Sequence, residues 1–298
     1  QRVLSEELST VLALSEDDEE LRAAVRALLE RRGDSAAVRR AAAEPRGYDE
    51  KLWQTLCEQI GAAALAVPEE YGGAGFALFE THLVIEELGA ALLPCPLLGS
   101  GVLAAQAILR SGDERACERL LPAIAEGRSV AALAWADAHG WSPQGSGVRA
   151  SGGAEDWTLS GTAHHVLEGD TADVLLAVAV TDAGTVGLFE VDTATGVRRE
   201  HTPSMDTTLR LARVDFQRAP ARPLCLDAGA LLAALYDIAA VAVTALQVGG
   251  ARRGLDMTVA HTRERVQFGR PIGSFQALKH RMADLLVEVE SARSASWA

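Results

Sequence analysis

The chain has 298 residues, of which 48% are hydrophobic and 23% charged, and its formal net charge is −13. That apolar content is ample for a packed core, and the length suits one large domain or two to three smaller ones. The acidic balance argues against a general nucleic-acid or anionic-membrane surface, since either wants a basic face, while local arginines still leave room for an anionic ligand.

In chain order, Asp17 to Arg32 places acids in the first turn and bases in the last. Leu21, Val25, Leu28 and Leu29 recur at helical spacing, and Gly33 follows; this predicts a helix. Lys51 to Ile60, stopped by Gly61, predicts a second helix, and Thr81 to Leu92 a third. Gly99 to Ser111 and Glu114 to Glu126 complete the helical part. Between the second and third lies VPEEYGGAG, residues 67–75, whose proline and paired glycines mark a structured loop. After Gly127 the pattern changes. Ala131 to Trp135 is short and apolar, and a Gly- and Ser-rich loop spans His139 to Ala154. Strand-like runs follow at Trp157 to Leu159, Val174 to Val180 and Val186 to Val191, with Asp182-Ala183-Gly184 as the turn between the last two. Leu211 to Gln217 alternates apolar and polar residues, and Pro220 and Pro223 are expected to close the section. From Ala228 helices resume. Leu231 to His261 is apolar around most of its circumference, so burial in a bundle or a subunit interface is expected. The loop QFGRPIGS then precedes an amphipathic helix from Phe275 to Trp297.

Cys57, Cys95, Cys117 and Cys225 are scattered, with no CxxC pair and no histidine at metal-ligand spacing. Free thiols in a reducing compartment are the expectation, and no metal site. No apolar run reaches the roughly 20 residues that span a bilayer, and Gln1 to Leu8 lack a signal-peptide core. These features predict a cytoplasmic protein with no membrane association, whose start at Gln1 has been trimmed.

Residues 263–293, RERVQFGRPIGSFQALKHRMADLLVEVESAR, carry the most specific pattern: a long helix ending in Arg-x-x-Phe-Gly, then Gln, then a Met-Ala-Asp helix. With the VPEEYGGAG loop, EELG at 86–89 and WTLSG at 157–161, all in register, the chain resembles the acyl-CoA dehydrogenase family from about residue 15 onward. The resemblance implies an α+β, mainly α fold. An N-terminal helical domain (residues 1–128) would be followed by a central β-barrel domain (129–224) and a C-terminal helical bundle (225–298) that is incomplete here. It also implies FAD as cofactor, an acyl-CoA thioester (fatty acyl or steroid side-chain) as substrate, and an electron-transfer flavoprotein as electron acceptor. A dimer or tetramer follows, in some bacterial members with a homologous catalytic subunit.

Carried over position by position, Arg265, Phe268 and Gln276 match residues contacting the FAD of an adjacent subunit, and Gly269 and Gly273 would let the loop backbone approach it. Arg265 and Phe268 also fit a helix cap and a core residue. The flavin-facing Met-Trp-Ile-Thr segment is here His164-His165-Val166-Leu167, so a hydroxyl donor is replaced by Leu167 and a stacking Trp by His165. Neighbours on a strand point to opposite faces, which disfavours a His–His metal site and puts one imidazole against the flavin and one in solvent. Trp135, Ala136 and Asp137 begin the stretch that lines flavin and substrate in the family; Trp135 equally suits core packing. Asp237 matches a substrate-side acid. The two carboxylate positions for a catalytic base correspond to Ala239 and to a point beyond Ala298, an early Arg of the long helix corresponds to Ala240, and no catalytic residue is assigned; Asp137 and Glu168 offer themselves as substitute bases, although loop acids are usually just solvated. Four readings follow. The first is a dehydrogenase whose bundle continues past residue 298. The second is a non-catalytic subunit sharing an interface FAD site. The third is a flavin oxidase or monooxygenase on a non-CoA substrate, and the fourth a flavin-free binding protein.

Overall fold

A computed structural model describes residues 14–142, 146–153 and 156–298. The chain divides into two compact units, one taking in the residues up to Asp34 with His82–Leu93 and Val241–Ala298, the other Ser35–Thr81 and Pro94–Ala240.

In the first unit, helix α1 (Glu16–Arg32) begins in a capping box. The Ser15 hydroxyl accepts the Asp18 N–H while the Asp18 carboxylate takes the Ser15 N–H, satisfying two otherwise orphaned donors. Its buried face is Val25, Leu28 and Leu29. The first unit also holds most of α4 (Leu78–Ala91) and of α7 (Gly229–Glu264), and all of α8 (Gln276–Trp297). Two glycines set how closely α4 and α7 cross. A side chain on Gly89 would begin 2.4 Å from the Leu246 carbonyl oxygen, and one on Gly249 would begin 2.0 Å from that of Glu86. Glu86 and Glu87 are buried beside that crossing. Arg22 donates to both, Arg26 to Glu87, and Arg293 and the Trp297 indole N–H to Glu86. The EELG motif thus supplies two buried carboxylates that gather three arginines and a glycine that admits a neighbouring backbone.

In the second unit lie α2 (Ser35–Ala43), which the sequence patterning missed, and α3 (Glu50–Thr55), which continues as a π turn (Leu56–Ile60) and ends on Gly61 at φ 72°. A π-helical stretch (Leu97–Ala104) runs into α5 (Ala105–Arg110), and α6 (Glu114–Ala125) follows. The β strands close on themselves. β6 (Val174–Thr181) pairs with β4 (Val148–Gly153), β4 with β5 (Asp156–Leu167), β5 with β9 (Leu211–Cys225), β9 with β7 (Val186–Val191), and β7 back with β6. β1 (Ala131–Ala134) adds to β6 and β8 (Val197–Thr202) to β9. This closure leaves few open edges. β1 is tied to the π-helical stretch by the Ala131 N–H donating to the Ser100 hydroxyl at 2.8 Å.

Several expectations change. β3 (Gly140–Trp141) and β4 form inside the predicted loop, β3 pairing with β2 (Ala136–Asp137) just before it, and β8 went unseen. β9 runs through Pro220 and Pro223, which stay in register opposite Thr158 and Phe189, rather than ending before them. A proline removes only one donor, and the carbonyl of Pro220 still accepts the Asp192 N–H. Finally, α7 contains an 18-residue window of mean hydropathy 1.9, long and apolar enough to cross a membrane by length and composition. That corrects the expectation that no such run exists; core helices of globular bundles meet the same measure. Tyr236, Val241, Val243 and Met257 of α7 are exposed in this chain.

Candidate active site

The sequence-predicted site residues fall in both units. In the first, α7 ends at Glu264 and the chain turns through β10 (Val266–Gln267) and β11 (Arg270–Pro271), paired Val266 to Pro271 and Gln267 to Arg270. The turn residues Phe268 and Gly269 have φ of 53° and 77°, the left-handed pair a tight two-residue hairpin requires. Phe268 is therefore thrown outward, 91% exposed, with Phe275 edge-on at 6.0 Å. Arg270 lies over the Phe275 ring at 4.2 Å, whereas the Arg265 guanidinium is exposed and has no side-chain partner among the described residues. Gln276 is held by His280 at 2.9 Å. A free guanidinium beside a projecting aromatic ring, on an exposed hairpin, suits an anionic cofactor carrying planar rings. The burial reading of Phe268 does not hold within this chain. Beside the hairpin, α7 and α8 bound a cleft of about 820 Å³, lined by Leu255, Val259, Met282 and Leu286, with Ser274 at its rim.

In the second unit, β5 carries His164, His165 and Leu167. Its register against β9 slips between Ala163 and Val166, and His165 takes φ 54°. The simple alternation of a regular strand therefore does not hold at the His pair, whose rings sit 6.1 Å apart with His165 exposed and His164 half-buried. Leu167 is half-buried and offers no donor. Glu168, which the sequence placed among solvated loop acids, is instead buried, at 5% exposure. Its Oε2 has no hydrogen-bond partner, and burial pushes its carboxyl up to about 8, with the nearby Asp170 adding to the rise and Arg210 opposing it. Arg210 is committed to Asp170, donating through Nε and Nη2. Trp135 and Asp137 lie at the β2–β3 hairpin, and Asp237 lies on α7. The β2–β3 hairpin, closed by the His139 N–H donating to Asp137 at 2.7 Å, brings Trp141 within 6.2 Å of Trp135, and Trp141 stacks on Tyr236 of α7 at 4.2 Å. Asp237 and Ala240 beside it are exposed and Ala239 is half-buried. The sequence singled out Trp135 but not its ring neighbours Trp141 and Tyr236, since nothing local marks two aromatics 95 residues apart as partners.

The profile of the acyl-CoA dehydrogenase N-terminal domain matches residues 15–128, and that of the C-terminal domain matches residues 231–298. The chain belongs to the acyl-CoA dehydrogenase family. It is 42% identical over 283 residues to the acyl-CoA dehydrogenase IpdE2 of Mycolicibacterium smegmatis, covering 94% of this chain and 76% of that protein. Among solved structures, the Tcur3481–Tcur3483 steroid acyl-CoA dehydrogenase is 32% identical with a TM-score of 0.84, covering 95% of this chain and 76% of that one. The ChsE4–ChsE5 complex of Mycobacterium tuberculosis is 29% identical with a TM-score of 0.85, covering 96% and 78%. The family's enzymes are flavoprotein oxidoreductases acting on CH–CH groups.

Proposed function

We propose that this chain is a subunit of an FAD-dependent acyl-CoA dehydrogenase that introduces an α,β double bond into an acyl thioester, of the fatty-acyl or steroid side-chain class. Electrons pass on to an electron-transfer flavoprotein, and the enzyme works in the cytoplasm as a dimer or tetramer. The observation that carries this reading is the outward-facing hairpin, with the Arg265 guanidinium unpaired and Phe268 almost fully exposed. When bound, FAD supplies the two-electron acceptor. Arg265 would take a phosphate of the cofactor through paired donors, Phe268 would pack on a ring, and Gln276 would hydrogen-bond it. Trp135, His165 and Leu167 would border the flavin, with Leu167 contributing shape rather than a hydrogen bond. Asp237 would lie on the substrate side.

A second reading is favoured by particular residues. Ala239 and Ala240 leave α7 without a carboxylate or a cation at the positions where the family has them, and Leu167 cannot donate to a flavin. On this reading the chain is a non-catalytic partner that completes an FAD site shared with a homologous catalytic subunit, and the ChsE4–ChsE5 complex supports such an arrangement by similarity. The test is the visible spectrum of the purified chain, alone and co-expressed with homologous subunits, followed by anaerobic titration with acyl-CoA. Colour and bleaching in the chain alone establish a self-sufficient dehydrogenase. Colour and bleaching only with a partner establish the shared site, and a colourless protein in both preparations sinks both readings.

A further inference from the structure

Three glutamates are buried among the described residues: Glu86, Glu87 and Glu168. The first two are matched by arginines, whereas Oε2 of Glu168 lies below the surface with no hydrogen-bond partner. A buried carboxyl with an unmatched oxygen is costly to keep. Here it directly follows Leu167, the residue that borders the flavin on the reading above.

The backbone of Glu168 is tightly held. Its N–H donates to the Arg210 carbonyl of β9 at 2.9 Å, and its own carbonyl accepts the N–H groups of Thr171 and Ala172 at 3.0 and 2.8 Å. This turn gives Glu168 a φ of 53°, a left-handed conformation that a residue with a side chain adopts at a cost. The carboxyl lies against the π-helical stretch Leu97–Ala104, every residue of which is buried. Gly99 of that stretch meets both residues at the end of β5. A side chain there would begin 1.9 Å from Oε2 of Glu168 and 2.9 Å from the Cβ of Leu167. Leu167 and Glu168 therefore seat together on Gly99.

The charged and titratable neighbours offer Oε2 no donor. Asp170, in the same turn, engages Arg210 of β9 at 2.6 Å. Tyr48, ahead of α3, and Cys95, ahead of the π-helical stretch, feel the Glu168 charge, and desolvation pushes both up to about 12. Arg46, over the Tyr48 ring, is paired with Asp173. An ionised Glu168 would be an enclosed anion, and its carboxyl could reach water or Arg210 only by leaving Gly99 and drawing Leu167 along.

We infer that Glu168 is a positioning residue for the flavin site: its protonated carboxyl seats the end of β5 on Gly99, and loss of that proton unseats Leu167 and loosens the cofactor. This rests on the flavin site proposed above and gives that site a pH dependence of its own.

The test is the dissociation constant of FAD across pH, read from flavin fluorescence on dilution of the loaded protein, with its partner subunit where one is required for colour. In the wild type it is expected to rise by about tenfold from about pH 6 to pH 8, one unit of linked proton affinity. It should level off above about 8, where the seated carboxyl itself releases its proton. Glu168→Gln, which keeps the neutral form, is expected to match the wild type at about pH 6 and to stay flat. Asp170→Asn removes a like charge and frees Arg210, so the rise should end at lower pH. A flat wild-type profile, a Glu168→Gln profile that follows the wild type, or an Asp170→Asn profile that does not move overturns the inference. Far-UV circular dichroism at each pH separates flavin release from unfolding, and release that merely tracks unfolding also overturns it. If the wild type is yellow and bleaches with acyl-CoA but its profile is flat, the positioning role falls and the dehydrogenase reading stands. A protein that takes up no flavin at any pH overturns both.

Discussion

A side chain on Gly99 would begin 1.9 Å from Oε2 of Glu168 and 2.9 Å from the Cβ of Leu167. The π-helical stretch Leu97–Ala104 therefore lies directly against the end of β5, and a buried, unpartnered carboxyl oxygen fills the space that the glycine leaves. Gly99→Ala must push that carboxyl aside, and is expected to destabilise the protein by roughly 1–3 kcal/mol. Thermal unfolding of the variant at neutral pH checks this; an unchanged midpoint refutes the contact.

Glu168 also sets a pH dependence. Its folded-state carboxyl sits at about 8 against an ordinary 4.5, so the folded protein holds a proton that the unfolded chain releases. Stability from this group is complete below about pH 4.5, is lost as pH rises from there toward 8, and stays lost above. Glu168→Gln, which mimics the protonated form, is expected to match the wild type near pH 4.5 and to exceed it progressively up to pH 8. The gap above pH 8 should be a few kcal/mol at most, since each tenfold change in proton affinity is worth about 1.4 kcal/mol. Urea unfolding across this range would disprove the assignment if the two curves ran parallel.

Removing Glu86 should be costly. Its carboxylate, 3% exposed, faces Arg22 at 3.0 Å and Arg293 at 3.1 Å and accepts the Trp297 indole N–H at 2.9 Å. Glu86→Ala leaves two enclosed guanidinium groups without that partner, and a loss of about 3–5 kcal/mol is expected. Glu87→Ala should cost less, because Arg26 is half exposed and can turn to water. Comparing the denaturant midpoints of the two variants decides the ordering.

The crossing of α4 and α7 gives a further test. Alanine is ordinarily better than glycine in a helix by about 1 kcal/mol. At Gly249, however, the new methyl would lie 2.0 Å from a backbone oxygen that cannot rotate away. The clash outweighs the propensity gain, and Gly249→Ala is expected to destabilise at the upper end of the roughly 1–3 kcal/mol range for overpacking. Gly254→Ala, which meets nothing within 4 Å, should stabilise slightly. Thermal melts of the pair separate the two effects, and a stabilised Gly249→Ala would refute the close approach.

For the hairpin, Arg265→Ala is expected to weaken flavin retention by about tenfold or more, the scale of a lost charged hydrogen bond. Arg270→Ala, whose guanidinium is already occupied on Phe275, should have a smaller effect. The ratio of flavin to protein absorbance after gel filtration reports both; equal retention in wild type and Arg265→Ala would remove this residue from the cofactor site.

The order of helices, strands and helices is legible along the chain, because helical periodicity and strand alternation are local properties that burial on one face imposes. The family is legible too, since RERVQFG, EELG, WTLSG and VPEEYGGAG lie at fixed positions that can be read in order. So is the lack, at Leu167, Ala239 and Ala240, of the functional groups expected there. The remaining features arise only on folding, because they join residues far apart in the chain. The burial of Glu168 depends on Gly99 and the π-helical stretch above it. The role of the EELG acids depends on arginines more than 60 residues before and 200 after them. The continuation of β9 through two prolines depends on partners on β5 and β7 that hold the register. The meeting of Trp141 with Tyr236 needs the β2–β3 hairpin and the first turns of α7 together, and no local pattern encodes a contact made only when distant segments pack.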